Sequence, residues 1–134
     1  MTLTVEDHTA ITQLLSLHGH LTDAGDHDRM HEVFTTGVTY DLTDFGMGKI
    51  VGLTALKEAA LALGEANPVG HHITNIVLTE LTQDQVQALS KGLGIMANGT
   101  SGSVTYEDTF SRENQGWRIS YRKVQARRSP PAAT

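Results

Sequence analysis

The stretch LTDAGDHDRMHEVF, residues 21–34, lies between two predicted helices and decides how the rest of the chain is organised. Upstream of it, apolar residues recur at helical spacing from about residue 5 to residue 22, a pattern that predicts an amphipathic helix. Gly25 ends that helix, and Asp26 can cap a second, shorter one. Asp23 therefore lies at the end of the first helix, where its carboxylate can point into whatever the helix covers.

Downstream of this stretch, the sequence predicts one more helix and a series of strands. A short strand is expected over residues 38–42, followed by a glycine-rich loop or hairpin over 43–52 and a helix capped by Thr54. Further strands follow at residues 71–81, 84–97, 104–110 and 117–124. Helices first and consecutive strands later indicate an α+β domain, with helices packed on one face of an antiparallel sheet. If strongly bent, such a sheet encloses a pocket between itself and the helices.

Length and composition disfavour several classes of function. The 134 residues fit one domain, which we predict over residues 1–126, with a disordered tail over 127–134. Ten basic against 15 acidic side chains give a net charge of −5, which disfavours nucleic-acid binding. The absence of cysteine excludes disulfides and thiolate zinc sites. No apolar run reaches the roughly 18 residues that span a bilayer, and residues 1–7 do not resemble a signal peptide, so we expect a cytoplasmic protein without membrane contact.

A set of short motifs, taken in order, resembles one protein family. The motifs are Leu21-x-Asp23-x-Gly25-Asp26, Phe34, Tyr40, Gly52, His72-x-x-Asn75, Tyr106-x-Asp108 and Gly116-Trp117-Arg118-Ile119-x-x-Arg122. Across roughly residues 5–125, their order and spacing resemble the SnoaL-like branch of the nuclear-transport-factor-2-like superfamily. This branch includes scytalone dehydratase, bile acid 7α-dehydratase and polyketide cyclases. The resemblance implies a cone-shaped curved sheet wrapped around the N-terminal helices, with a pocket at the wide end.

The resemblance also implies a set of catalytic residues. In the dehydratase members, an aspartate at the end of the first helix orients a histidine on a sheet strand, and tyrosines hydrogen-bond the substrate oxygen. By position, Asp23 matches that aspartate and His72 that histidine, while Tyr106 and, approximately, Tyr40 match tyrosines. Strand alternation then turns His71 to the opposite side from His72, away from the site. The alternative is structural: Asp23 merely caps a helix end, and His72 is a packed core histidine.

Six side chains are candidates for binding a substrate. They are His18, Phe34, Phe45, Met47, Leu56 and Met96. His18 lies in the apolar stripe of the first helix, where relatives often have a tyrosine, and Phe45 and Met47 belong to the glycine-rich loop, a candidate lid. His27 and His31 are spaced four residues apart, yet no third ligand is identifiable. We therefore expect a solvated helix face there, no metal and no cofactor.

The predicted strands also suggest how the sheet packs. We expect Arg122 to form a cross-strand ion pair with Asp108 or Glu107. The outer face of a curved sheet of this kind usually packs against a second subunit. We therefore predict a homo-oligomer, either a dimer or a trimer.

An Asp–His pair in an apolar pocket favours proton transfer. The carboxylate fixes the tautomer of the imidazole and leaves its other ring nitrogen free to move a proton near neutral pH. We therefore predict a cofactor-independent acid–base enzyme, a dehydratase, isomerase or cyclase, acting on a small apolar steroid-, terpenoid- or polyketide-like molecule. Two alternatives stay open: a non-catalytic small-molecule-binding protein with the same pocket, and an assembly subunit similar to the small subunit of ring-hydroxylating dioxygenases. A limonene-type epoxide hydrolase would need an Asp–Arg–Asp set that the sequence does not assemble.

Overall fold

In the computed structural model, which describes residues 3–132, two α-helices pack on the inner face of a curved, open six-stranded sheet. The helices are α1, Val5–Asp23, and α2, Leu53–Leu63. The strands are β1, Phe34–Asp41; β2, Lys49–Val51; β3, Gly70–Thr82; β4, Gln85–Ile95; β5, Ser101–Glu113; and β6, Gly116–Arg127. Short 3₁₀ segments occupy His27–Glu32, Thr43–Phe45 and Gly64–Ala66. The predicted α+β class is confirmed.

The order of the strands in the sheet is β2-β1-β6-β5-β4-β3. All neighbours are antiparallel except β1 and β6, which run parallel. The predicted antiparallel sheet therefore contains one parallel pair. Parallel neighbours need a long connection, and everything from β2 to β5 lies between these two strands in the sequence.

α1 begins and ends close to where the sequence predicts. Thr4 Oγ1 accepts a hydrogen bond from the backbone N of Asp7 at 3.1 Å, and the Asp7 carboxylate accepts one from the N of Thr4 at 3.4 Å, which forms a capping box. On its inner face, Leu15 is fully buried. The helix ends at Asp23, just before Gly25 takes a left-handed φ of 69° that favours glycine.

The second predicted helix is shorter than expected. Residues His27–Glu32 form a 3₁₀ segment, and β1 already begins at Phe34, whose partner on β6 is Ile119. Gly37 lies within β1, in the stretch between Phe34 and Thr39 where the pairing with β6 is irregular, so the strand begins before the predicted residue 38. Because an irregular strand tolerates glycine, Gly37 does not mark a boundary.

β3 contains a bulge that decides which of its side chains face the helices. Thr74 and Val77 are three residues apart, but their partners on β4 are only two apart, and Asn75 between them takes a left-handed φ of 57°. The extra residue reverses the inward and outward alternation of side chains. As a result, His71 faces inward before the bulge, and Ile76 faces inward after it.

Within residues 3–132, no helix is long and apolar enough to cross a membrane. β6 ends at Arg127, one residue beyond the predicted domain boundary. Residues 133–134 of the predicted tail, like residues 1–2, lie outside the described part of the chain. The domain limits and the disordered tail therefore stay predictions.

Candidate active site

A cavity of about 430 Å³ lies between α1, α2 and the inner face of the sheet. Most of its wall is formed by apolar and aromatic side chains. Five of the predicted substrate-binding residues line it, namely His18, Phe34, Phe45, Met47 and Leu56. Tyr40 and Tyr106 line it as well. Met96 does not, and lines a smaller neighbouring cavity instead.

Asp23 meets a histidine at this cavity, and the histidine is His71. Nδ1 of His71 lies 2.7 Å from Oδ1 of Asp23, and the backbone N of His71 donates to Oδ2 at 3.1 Å. These two contacts fix the carboxylate against the start of β3. The His71 side chain is 16 % exposed and lines the cavity, so its ring is within reach of a ligand.

The predicted pairing of Asp23 with His72 is therefore wrong. His72 is exposed and lines neither of the two cavities. Unbroken alternation along the strand would place His72 on the same face as Ile76, but the bulge at Asn75 reverses the order and turns His71 inward instead. Asparagine takes a left-handed conformation more readily than most residues, which is the one signal in the sequence that is compatible with such a bulge.

A close approach of α1 to β3 brings Asp23 and His71 together. Gly19 lies one helical turn before Asp23 and packs against the backbone of His71. A Cβ atom at Gly19 would lie 2.8 Å from the carbonyl oxygen of His71, so no side chain fits between helix and strand at this point. Gly19 carries no motif signal in the sequence, and only the packing of the two elements reveals its role.

A buried ion pair lies behind the wall of the cavity. Arg122 of β6 donates from Nε and Nη2 to the two carboxylate oxygens of Asp108 on β5, at 2.7 and 2.9 Å, and both side chains are fully buried. Burial opposes the charge of Arg122, but the Asp108 carboxylate outweighs this effect and raises the pKa of the guanidinium above its ordinary value. The expected cross-strand pair is thus Arg122 with Asp108 rather than with Glu107.

His18 lies between this ion pair and the cavity. Both of its ring nitrogens are 3.4 Å from Nη1 of Arg122, and Nε2 is 3.5 Å from Oγ1 of Thr22. Burial, together with the positive charge of Arg122, holds the pKa of His18 well below its ordinary value, so the ring is neutral at pH 7. A neutral imidazole can accept a hydrogen bond through one nitrogen and donate one through the other.

Tyr106 places a neutral hydroxyl beside the same buried charge. Burial raises the pKa of Tyr106 above its ordinary value, so the phenol stays protonated at neutral pH. The guanidinium carbon of Arg122 lies 4.0 Å from the centroid of the Tyr106 ring. This part of the cavity wall can therefore donate hydrogen bonds without carrying a negative charge of its own.

The described residues show no ready metal centre. Within residues 3–132, no three His, Asp or Glu side chains lie close enough together to hold a metal ion. His27 lines the cavity, whereas Nδ1 of His31 lies 3.0 Å from the carbonyl oxygen of Asp28. Across the same residues, Arg122 pairs with one carboxylate, Asp108, so the Asp–Arg–Asp set of an epoxide hydrolase does not form. That the protein uses no metal and no cofactor remains a prediction.

Comparison with known proteins identifies the family. The family model of the SnoaL-like domain matches residues 3–123. The chain belongs to the SnoaL-like family. The family predicted from the sequence motifs is thereby confirmed. No curated protein matches the sequence closely enough to count as a relative.

Several solved structures share the fold of this SnoaL-like protein. A protein of unknown function with a cystatin-like fold from Nostoc punctiforme is 18 % identical, with a TM-score of 0.82 and 98 % of each chain covered. LinA is 20 % identical, with a TM-score of 0.79, 96 % of this chain and 91 % of LinA covered. A provisionally assigned scytalone dehydratase from Novosphingobium aromaticivorans is 15 % identical, with a TM-score of 0.78 and coverages of 97 % and 90 %. At these identities the likeness establishes the fold alone.

Proposed function

We propose that this SnoaL-like protein is a cofactor-independent acid–base enzyme that dehydrates, isomerises or cyclises a small apolar molecule. The observation that supports this proposal is the 2.7 Å contact between His71 and Asp23 at the wall of an apolar cavity of about 430 Å³. A histidine whose Nδ1 is held by a carboxylate presents Nε2 to a ligand as a general base or acid. Dehydration is the reaction we favour, and one solved relative carries a provisional assignment as a dehydratase.

In a dehydration, His71 would act twice. Its Nε2 removes a proton from a carbon atom next to a carbonyl group, and the C–H electron pair moves into the carbonyl to give an enolate. The enolate then expels the hydroxyl group from the β-carbon, and the proton on Nε2 leaves with it as water. Asp23 stabilises the imidazolium between the two steps and keeps the ring oriented. The histidine ends in its starting protonation state.

The enolate oxygen would be stabilised by hydrogen-bond donors in the wall of the cavity. Tyr106, Tyr40 and the neutral ring of His18 line the cavity and can donate hydrogen bonds. Arg122 is not part of the lining, but its charge lies 4.0 Å behind the Tyr106 ring and favours negative charge on this side. We therefore expect the carbonyl oxygen of the substrate to point towards Tyr106 and its α-carbon towards His71.

Deuterium exchange tests the proposal without knowledge of the natural substrate. The protein is incubated in D₂O with 1-tetralone, a small apolar ketone that has α-protons but no leaving group, and exchange is followed by NMR. We expect the wild type to accelerate exchange and His71→Ala to lower the protein-dependent rate by about 100-fold or more, the usual contribution of one acid–base group. Asp23→Asn should give a loss of similar size, because the imidazole loses its orienting carboxylate.

His72→Ala is the matched control, because it removes the adjacent imidazole from the exposed side of the same strand. This variant should exchange 1-tetralone as fast as the wild type. Equal rates in the wild type and His71→Ala, or equal losses in the two histidine variants, would contradict the proposal. A wild type that binds 1-tetralone without exchanging its protons would favour the non-catalytic binding protein instead.

A further inference from the structure

A second cavity, of about 290 Å³, lies beside the first, where β4 and β6 end and β5 begins. The two cavities share Phe45, Pro68, His71, Tyr106 and Val124 in their walls. The histidine held by the carboxylate and the buried phenol therefore lie at the junction of two spaces. A ligand that extends past His71 can enter the second cavity.

The second cavity exists because the side chains of β4 that face the helices are small or absent towards this end of the strand. This inner row begins with a valine, continues with two small residues and ends with two glycines, in the order Val86, Ala88, Ser90, Gly92 and Gly94. Gly92 makes room for the ring of Tyr106, whose Cε2 would overlap a Cβ atom at that position. Gly94 is paired with Gly102 of β5, so neither strand fills the space.

Histidines aside, the ionisable side chains in the walls of the two cavities that carry a full charge at neutral pH are all basic. Lys57 lines the first cavity, Arg127 and Arg128 line the second, and no aspartate or glutamate among residues 3–132 lines either. The sequence as a whole has the opposite balance, with a net charge of −5. Lys57 is already paired with Asp28 at 2.7 Å, so the uncompensated positive charge belongs to the second cavity.

Arg127 and Arg128 form no ion pair with a carboxylate within residues 3–132. The guanidinium carbon of Arg128 lies 5.2 Å from the centroid of the Phe45 ring, which both cavities share. Asp44 is near in sequence, but its carboxylate accepts a hydrogen bond from the N of Ala126 at 3.2 Å and lines neither cavity. Two arginines thus line the second cavity, and guanidinium groups suit carboxylates in particular.

We infer that the ligand of this protein is an apolar carboxylate, with its body in the first cavity and its anionic end in the second, against Arg127 and Arg128. In this arrangement His71 and Tyr106 contact the carbon atoms near the carboxylate end of the ligand. The inference rests on the proposed function, because it assigns a substrate class to the same site. The binding itself does not depend on turnover, so it can be tested separately.

Displacement of a fluorescent probe tests the inference on the full chain. The uncharged probe N-phenyl-1-naphthylamine is bound first and then displaced with decanoate or decan-1-ol, which have the same number of carbon atoms and differ in charge. The wild type should bind decanoate about tenfold more tightly than decan-1-ol, although the net charge of the protein repels anions. In Arg127→Gln/Arg128→Gln, this preference should disappear while the affinity for decan-1-ol stays the same.

Two further variants test whether the preference for decanoate depends on the second cavity or on the loss of any basic side chain. Arg29→Gln removes a basic side chain that pairs with Glu32 at 2.6 Å and lines neither cavity, so it should keep the preference for decanoate. Gly102→Leu adds a side chain where a Cβ atom would meet nothing within 4 Å, so it should fill the second cavity. It should therefore weaken the binding of decanoate more than the binding of the probe. Equal affinities for decanoate and decan-1-ol in the wild type, or a preference that survives in the double arginine variant, would overturn this inference and leave the proposed function standing. Failure of the probe to bind at all would overturn both.

Discussion

Arg122 shows how one side chain can serve both the stability of the protein and the candidate site. Its guanidinium makes two hydrogen bonds to Asp108, and its remaining Nη1 faces the ring of His18. The same charge helps to keep His18 neutral and lies behind the ring of Tyr106. Since Arg122 and Asp108 are both fully buried, salt and water screen their interaction little.

Replacing Arg122 with methionine should therefore destabilise the protein by about 3–5 kcal/mol, because Asp108 remains buried without its counter-charge. The double variant Arg122→Met/Asp108→Leu should recover much of this loss, since it leaves no unpaired charge. Urea unfolding of both variants measures the free energies of unfolding. A double variant as unstable as the single one would show that packing of the arginine, and not its charge, is what the core needs.

The candidate site could be predicted from the sequence only in part, and the reason lies in single residues. The position of Asp23 at the end of α1 follows from Gly25, which is visible in the sequence. The choice between His71 and His72 depends on the phase of β3, and the extra residue at Asn75 shifts that phase by one. Hydrophobic alternation read over the whole strand therefore selects the wrong histidine.

At the scale of secondary-structure elements, α1 is attached to the sheet near both of its ends. At the C-terminal end, Asp23 reaches β3. At the N-terminal end, the Asp7 carboxylate accepts hydrogen bonds from Nε1 of Trp117 on β6 at 3.0 Å and from Arg112 on β5 at 3.3 Å. The hydrogen bond from Trp117, and then that from Arg112, lower the pKa of Asp7 from 3.8 to about 2.

The stability of the protein should accordingly decrease in acid through Asp7. Because its pKa is lower in the folded than in the unfolded state, its contribution is fully present above about pH 4 and is lost as the pH falls towards 2. Asp7→Asn should lower the free energy of unfolding at pH 7 by about 1–2 kcal/mol, a range reduced for partial exposure of the contacts. It should also flatten the pH dependence of that free energy between about pH 4 and pH 2. Urea unfolding from pH 2 to pH 7 measures both effects.

Glu6→Gln is the control for this prediction, since Glu6 is an exposed acid in the same helical turn. This variant should keep the slope of the wild type. An Asp7→Asn variant whose stability follows the same pH curve as the wild type would contradict the assigned role of the carboxylate.

Elements with a strong local pattern could be predicted, and pairings between distant elements could not. The apolar spacing of α1 and the capping residue Thr4 fix that helix from its own sequence. β4 is a strand despite Gly92, because pairing on both sides outweighs its local propensity. The parallel pairing of β1 with β6 cannot be predicted from the sequence of either strand. It depends on how the strands between them bring the chain back beside β1.

At the scale of the whole molecule, the outer face of the sheet carries an exposed apolar patch. Val77, Leu89 and Leu93 are 57, 43 and 40 % exposed, and Val77 lies directly opposite Leu89 on the neighbouring strand. Patches of this kind usually mark an interface. A second copy of this chain is the partner we expect, because a two-fold axis would bring identical patches together.

Light scattering after size-exclusion chromatography should therefore give a mass two or three times the 14.5 kDa of one chain. Leu89→Glu should shift the protein towards the monomer, because it places a charge in the centre of the patch. Leu61→Glu is a matched control on α2, where the leucine is 58 % exposed and lies away from the sheet, and it should leave the mass unchanged. A wild type that elutes as a monomer would refute the expected oligomer.

The bulge in β3 has a further consequence, because β3 is the last strand on one side of an open sheet. A long and regular last strand presents unpaired backbone groups to any extended chain, and strand-by-strand aggregation starts in this way. A bulge twists and interrupts such a template. The extra residue at Asn75 turns His71 towards the cavity and also makes the edge of β3 a poor template for fibril growth. A regular β3 without the bulge would lose both effects.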